Sequence, residues 1–75
     1  MTSEETAIQL LASALGISES EIGRKTSIES SKAWDSLAHF RVVLALEEAI
    51  DRSLTPVEVF DLNGFENVVA ILHKQ

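Results

Sequence analysis

The sequence predicts an all-α domain: a four-helix bundle of three longer helices and one short third helix, with a long loop between the first and the second. Three observations carry this expectation. Apolar residues recur at helical spacing in three separate stretches, residues able to cap a helix stand ahead of the stretches, and the period-two alternation of strands is absent. Seventy-five residues make one domain, near the lower limit at which a single core suffices without disulfides or metal. No internal repeat or low-complexity segment interrupts it.

Thr2 and Glu5 have capping-box spacing, and Ala7, Ile8, Leu10, Leu11, Ala14 and Leu15 form a stripe that stops at Gly16, a residue suited to the left-handed end of a helix. The first helix is thus about three turns long. Residues 17–34 lack sustained periodicity, and Ile17, Ile22 and Ile28 are spaced to pin them to the core as a loop of a length that is uncommon and often functional. The second helix is expected from Ser36 to Asp51, with the Asp35 carboxylate accepting from an orphan amide at its start. Thr55-Pro56 is a cap followed by the residue favoured at the first helical position, so 56–61 reads as a short helix carrying Val57, Val59 and Phe60. Asn63 and Glu66 repeat the capping-box spacing ahead of a last helix with Phe65, Val68, Val69, Ile71 and Leu72 as its stripe, ending in His73-Lys74-Gln75.

At about 100° per residue, Ser36, Leu37, Phe40, Leu44, Glu47, Glu48 and Asp51 share an arc of about 120° on the second helix. The facing arc holds Ala38, Val42, Val43, Ala45, Leu46, Ala49 and Ile50, an apolar face as wide as core packing requires. Leu37, Phe40 and Leu44 are left beside a serine and three acids. Two accounts of them stand: a docking surface with a charged rim, or a helix buried almost all round. His39 projects toward the core face between Leu46 and Ile50, which suits a packed or loop-bonding side chain better than a catalytic base. His73 lies in the last turn, where a cation suits the helix dipole. With neither a nucleophile–base pair nor a ligand cluster in view, a hydrolase or a metalloenzyme is disfavoured.

Six basic against twelve acidic residues give a net charge of -6, which repels nucleic acid and favours basic protein surfaces. The absence of Cys removes any disulfide framework or thiolate metal site, and any thioester would have to use the sulfur of an added group. No apolar run reaches the length of a membrane span, and Met1-Thr2-Ser3-Glu4-Glu5 is acidic where a secretory signal is basic, so a cytoplasmic setting is expected. Met1 and the early capping box are what a free-standing protein would show.

The run Trp34-Asp35-Ser36-Leu37-Ala38, continued by Leu44-Ala45-Leu46-Glu47-Glu48-Ala49-Ile50, resembles the prosthetic-group attachment site and second helix of acyl carrier proteins. Because the run lies near mid-chain, after a long loop, the resemblance covers residues 1–75 as a single carrier domain. It implies that Ser36 receives 4′-phosphopantetheine covalently from coenzyme A, with Asp35 and Leu37 flanking it at the cofactor site. It further implies a non-enzymatic, monomeric carrier that delivers acyl or aminoacyl thioesters. Its partners would be a phosphopantetheinyl transferase and acyl-loading and acyl-processing enzymes with basic docking surfaces. Leu37, Phe40, Arg41, Leu44, Glu47 and Glu48 fall in the region such partners would meet. An acyl chain would enter between the second and third helices past Leu46, Ile50, Leu54, Val59, Phe60 and Leu62; alternatively these six simply fill the core. Trp34 stands where many carriers have Gly, and Ala38, His39 and Arg41 stand where they have acids, which points to a specialised fatty-acid, polyketide or related pathway. Trp34 itself either packs over the helix start or meets a partner. The competing class is an unmodified helical interaction module that docks through Leu37, Phe40 and Leu44.

Overall fold

The computed structural model describes residues 2–74; Met1, and Gln75 at the predicted end of the last helix, lie outside the described residues. Among the described residues every regular element is helical: α1 (Ser3–Leu15), α2 (Ser36–Ile50), α3 (Pro56–Asp61) and α4 (Phe65–His73), with a single 3₁₀ turn (Glu19–Glu21) between α1 and α2. No helix among them is long and apolar enough to cross a membrane.

α1 begins as its capping box requires. The Glu5 amide donates to Thr2 Oγ1 (3.1 Å) and the Thr2 amide to Glu5 Oε1 (3.2 Å), which satisfies two donors that the helix itself cannot. It ends at Gly16, whose φ of 71° is cheap only for glycine and lets its amide reach back to the Ala12 carbonyl. α2 ends one residue before the expected position, because Asp51 takes the left-handed conformation (φ 57°) and closes the helix instead of extending it. Aspartate is among the few side chains that tolerate this conformation.

The core is built where α1 packs on both α2 and α4 and α2 touches α4. Ala7 and Leu11 of α1, Val42 and Leu46 of α2, and Val68 of α4 are sealed from solvent, with Trp34 and Leu62 nearly so. The apolar face of α2 is narrower than the wheel suggests. Only Ala38, Val42 and Leu46 are buried, while Val43, Ala45 and Ile50 are half-buried and Ala49 is exposed. Nor is α2 buried all round: Leu37, Phe40 and Leu44 are 60%, 59% and 49% exposed.

α3 contributes none of its own residues to the buried core; the leucines on either side of it, Leu54 and Leu62, anchor it. Val59 packs against the core from a half-buried position, whereas Val57 and Phe60 face solvent, Phe60 at 87% exposure. The expectation that Phe60 joins an interior lining is therefore corrected, and Leu46, Leu54 and Leu62 fill the common core. The cap expected of Asn63 is also replaced. Gly64 is the N-cap of α4, and no side chain caps it, because the backbone here pairs with the long loop. The Phe65 amide donates to the Thr26 carbonyl (2.8 Å) and the Ile28 amide to the Asn63 carbonyl (3.0 Å), around an isolated antiparallel bridge between Ser27 and Gly64. Of the three isoleucines expected to pin the loop, Ile22 is buried and Ile17 half-buried, but Ile28 is held by its backbone and keeps a 39% exposed side chain.

The turn between α2 and α3 is clamped by charge. Arg52 makes a bidentate pair with Glu58, both contacts at 2.9 Å, while the Thr55 amide donates to the same carboxylate and the Glu58 amide to Thr55 Oγ1. The Arg52 hydrogen bonds, then the Thr55 amide, hold the Glu58 carboxyl down at about 2, against an ordinary 4.5. A carboxyl lowered by folding contributes stability that is complete above its unfolded value and lost as pH falls to its folded one. Urea midpoints of the native chain and of Glu58→Gln should therefore differ most above pH 4.5 and converge as pH falls toward about 2. A gap that stayed constant over that window would mean that the clamp does not act through the ionised carboxylate.

Candidate functional site around Ser36

The site is assembled from the end of the long loop and the first turn of α2. Trp34, immediately before the cap, is driven into the core and is 2% exposed. Its indole N–H, which can only donate, reaches His39 Nδ1 at 3.1 Å, with the two rings roughly stacked at an interplanar angle of 28°. Of the two readings of Trp34, packing over the helix start is the one the structure shows; a side chain this buried presents no surface to a partner. The loop-bonding role of His39 is likewise present, and it has an atomic consequence. A neutral imidazole that accepts at Nδ1 carries its proton on Nε2.

Between Trp34 and His39 the chain must turn into the helix, and Asp35 makes that turn. Its backbone is extended, and Oδ1 accepts from the Ala38 amide at 2.8 Å. Ser36 is then the first helical residue and is exposed. The amides of Ser36 and Leu37 have no acceptor among the described residues, as expected of the first turn of a helix. Such a turn, with its positive dipole end, favours an anion attached to Ser36. Ser36 also lies on the rim of a surface cleft of ≈ 440 Å³, lined by Ile28, Trp34, Asp35, Ser36 and His39.

The other expected residues lie on the face next to Ser36. Leu37, Phe40, Leu44 and Glu48 follow at steps of three and four, with Arg41 beside them, so they form one exposed stripe down α2. Leu37 belongs to this stripe and does not line the cleft, which separates it from Asp35 and Ser36. Glu47 is half-buried, and its Oε2 accepts from the Leu54 amide at 2.8 Å, so it ties the turn after α2. Ile28 is the residue that sequence reading missed: its spacing from Ile17 and Ile22 suggested the core, and the bridge to Gly64 delivers it to the cleft. Among the described residues, no group of three or more His, Cys, Asp or Glu is placed to hold a metal ion.

Compared with known proteins, the chain matches no family model, and no curated protein is similar to it in sequence.

The Asp35 cap sets the position of Ser36 and has a direct test. Asp35→Ala should lower stability by about 0.5–2 kcal/mol in urea denaturation, and Asp35→Asn, whose side-chain oxygen also accepts, should recover most of that loss. Equal losses in both variants would mean that the charge matters and the cap does not.

Proposed function

We propose that this chain is an acyl carrier protein that bears 4′-phosphopantetheine on Ser36 and delivers acyl or aminoacyl groups to partner enzymes as thioesters. The observation that carries the reading is Ser36 itself: an exposed hydroxyl at the first position of a capped fifteen-residue helix, on the rim of a cleft and at the head of an apolar stripe. The residues around it suit the group. The unpaired amides of the first turn favour its phosphodiester, and the Asp35 carboxylate is engaged with the Ala38 amide. When attached, the group supplies the thiol that a chain without cysteine lacks. The resemblance of Trp34 through Ile50 to carrier proteins supports the same reading. On it the four helices form the carrier bundle, with residues 16–35 as its long first loop.

In this reading Ser36 is a tether and the chain itself catalyses nothing. Leu37, Phe40 and Leu44, flanked by Arg41 and Glu48, form the surface that a phosphopantetheinyl transferase and the acyl-loading and acyl-processing enzymes read. Their basic surfaces would be drawn by the net charge of -6. Arg41, a cation within that stripe, supports a specialised fatty-acid, polyketide or related pathway. We propose that the carrier works as a monomer in the cytoplasm.

Incubation with coenzyme A and a broad-specificity phosphopantetheinyl transferase, followed by intact-mass measurement, tests the proposal. The native chain should gain one phosphopantetheine and Ser36→Ala none. Failure of the native chain to gain mass with several transferases would favour an unmodified interaction module that docks through the exposed Leu37, Phe40 and Leu44.

A further inference from the structure

The cleft beside Ser36 is left unused by a tether that only projects into solvent. It is lined by Ile28 from the long loop, by Trp34, Asp35 and Ser36 at the loop–helix junction, and by His39 one turn into α2. Two features give it chemistry. The Trp34 indole donates to His39 Nδ1, which places the imidazole proton on Nε2, and no acceptor for Nε2 is present among the described residues. His39, half-buried, lines the cleft within one turn of Ser36. Ile28, at 39% exposure, offers an aliphatic wall that its own structural role does not explain, because the loop is fixed by the backbone of Ile28 and not by its side chain. The volume, ≈ 440 Å³, is within the range of about 300–1,000 Å³ typical of small-molecule pockets.

We propose that this cleft is the resting place of the phosphopantetheine arm, with His39 Nε2–H donating to a phosphodiester or pantoyl oxygen and Ile28 packing against the arm's geminal methyl groups. The inference rests on the reading of Ser36 as the attachment site and adds to it a specific berth. Its occupant is fixed by the tether: a group bonded to Ser36 Oγ is held at the cleft mouth at a high effective concentration, so even weak contacts hold it there. The chemistry is complementary along the arm's first segment, an anionic and hydroxylated portion against an N–H donor and a branched aliphatic portion against isoleucine. Docking there would draw the arm toward the loop side of α2, away from the exposed stripe of Leu37, Phe40 and Leu44. A partner seated on that stripe would then find the arm parked beside it.

The test is a comparison of the unmodified and modified full chain by NMR, with the mass of each sample confirming its state. In the modified chain the geminal methyl protons should show nuclear Overhauser effects to the Ile28 methyls and the His39 ring protons, and the Trp34 indole N–H resonance should shift. In the modified form of Ile28→Ser, again verified by mass, the contacts to residue 28 should be lost and the arm's methyl signals should sharpen. A chain that gains the expected mass but shows no contacts to residues 28 or 39, with shifts confined to residues 35–37, would overturn the berth and leave the carrier reading standing. A chain that gains no mass would overturn both.

Discussion

Trp34 has to enter the core and its indole N–H has to find an acceptor, and the place where both demands are met fixes the rest of the site. A buried donor left unpaired costs about 1–3 kcal/mol. Here His39 Nδ1, one turn into α2, supplies the acceptor at 3.1 Å. The bond spans the junction between loop and helix. It ties the last loop residue before the cap to the helix that the cap begins, so Asp35 and Ser36, which lie between, have little freedom. Asp35 uses that constraint to reach the Ala38 amide, and Ser36 is left as the first residue free of structural duty.

The long loop is held from the other direction by backbone pairing. Thr26 and Ile28 exchange hydrogen bonds with Phe65 and Asn63, which lashes the middle of the loop to the start of α4. Since α4 packs on α1 and α1 on α2, the loop is anchored to the same core that holds α2. Ile22 adds a buried side-chain anchor nearer α1, and the Ser18–Glu21 bonds shape the 3₁₀ turn before it. A segment without periodicity thus has a definite path, set by backbone bonds and two apolar anchors. α3 is attached differently. It is six residues long, too short to be stable alone, and it depends on Leu54, Leu62 and the Arg52–Glu58 pair at its borders.

How much of this was legible follows from whether a signal is local. The caps at Thr2 and Asp35, the left-handed Gly16 and Pro56 at the head of α3 are dictated by residues a few positions apart, and all are found as the sequence places them. The spacing of Thr55 and Glu58 carried the same capping-box signal and went unread. Asn63 and Glu66 show where such a signal misleads. Their spacing is equally good, but the Asn63 and Phe65 backbones are claimed by Ile28 and Thr26, a pairing distant in sequence that no local pattern records. The tie made by Glu47 is hidden for the same reason. A helical wheel can give its angle, but the Leu54 amide that captures it belongs to the following turn. Trp34, which sits in an aperiodic stretch, offered no period by which to judge its burial.

On the carrier reading, the geometry of α2 separates two tasks that fall to one residue. Seen down the helix at about 100° per residue, Ser36 lies between His39 on one side and the stripe of Phe40, Leu44, Leu37 and Arg41 on the other. Whatever is joined to Ser36 therefore stands at the border between a concave, polar-and-aliphatic cleft and a convex, apolar, partly charged surface. The stripe rides on a capped helix packed into the core, while the cleft wall is an exposed isoleucine on a loop. On the carrier reading, recognition and storage use neighbouring but distinct sides of the same helix start, so a partner need not displace its own contacts to reach the arm.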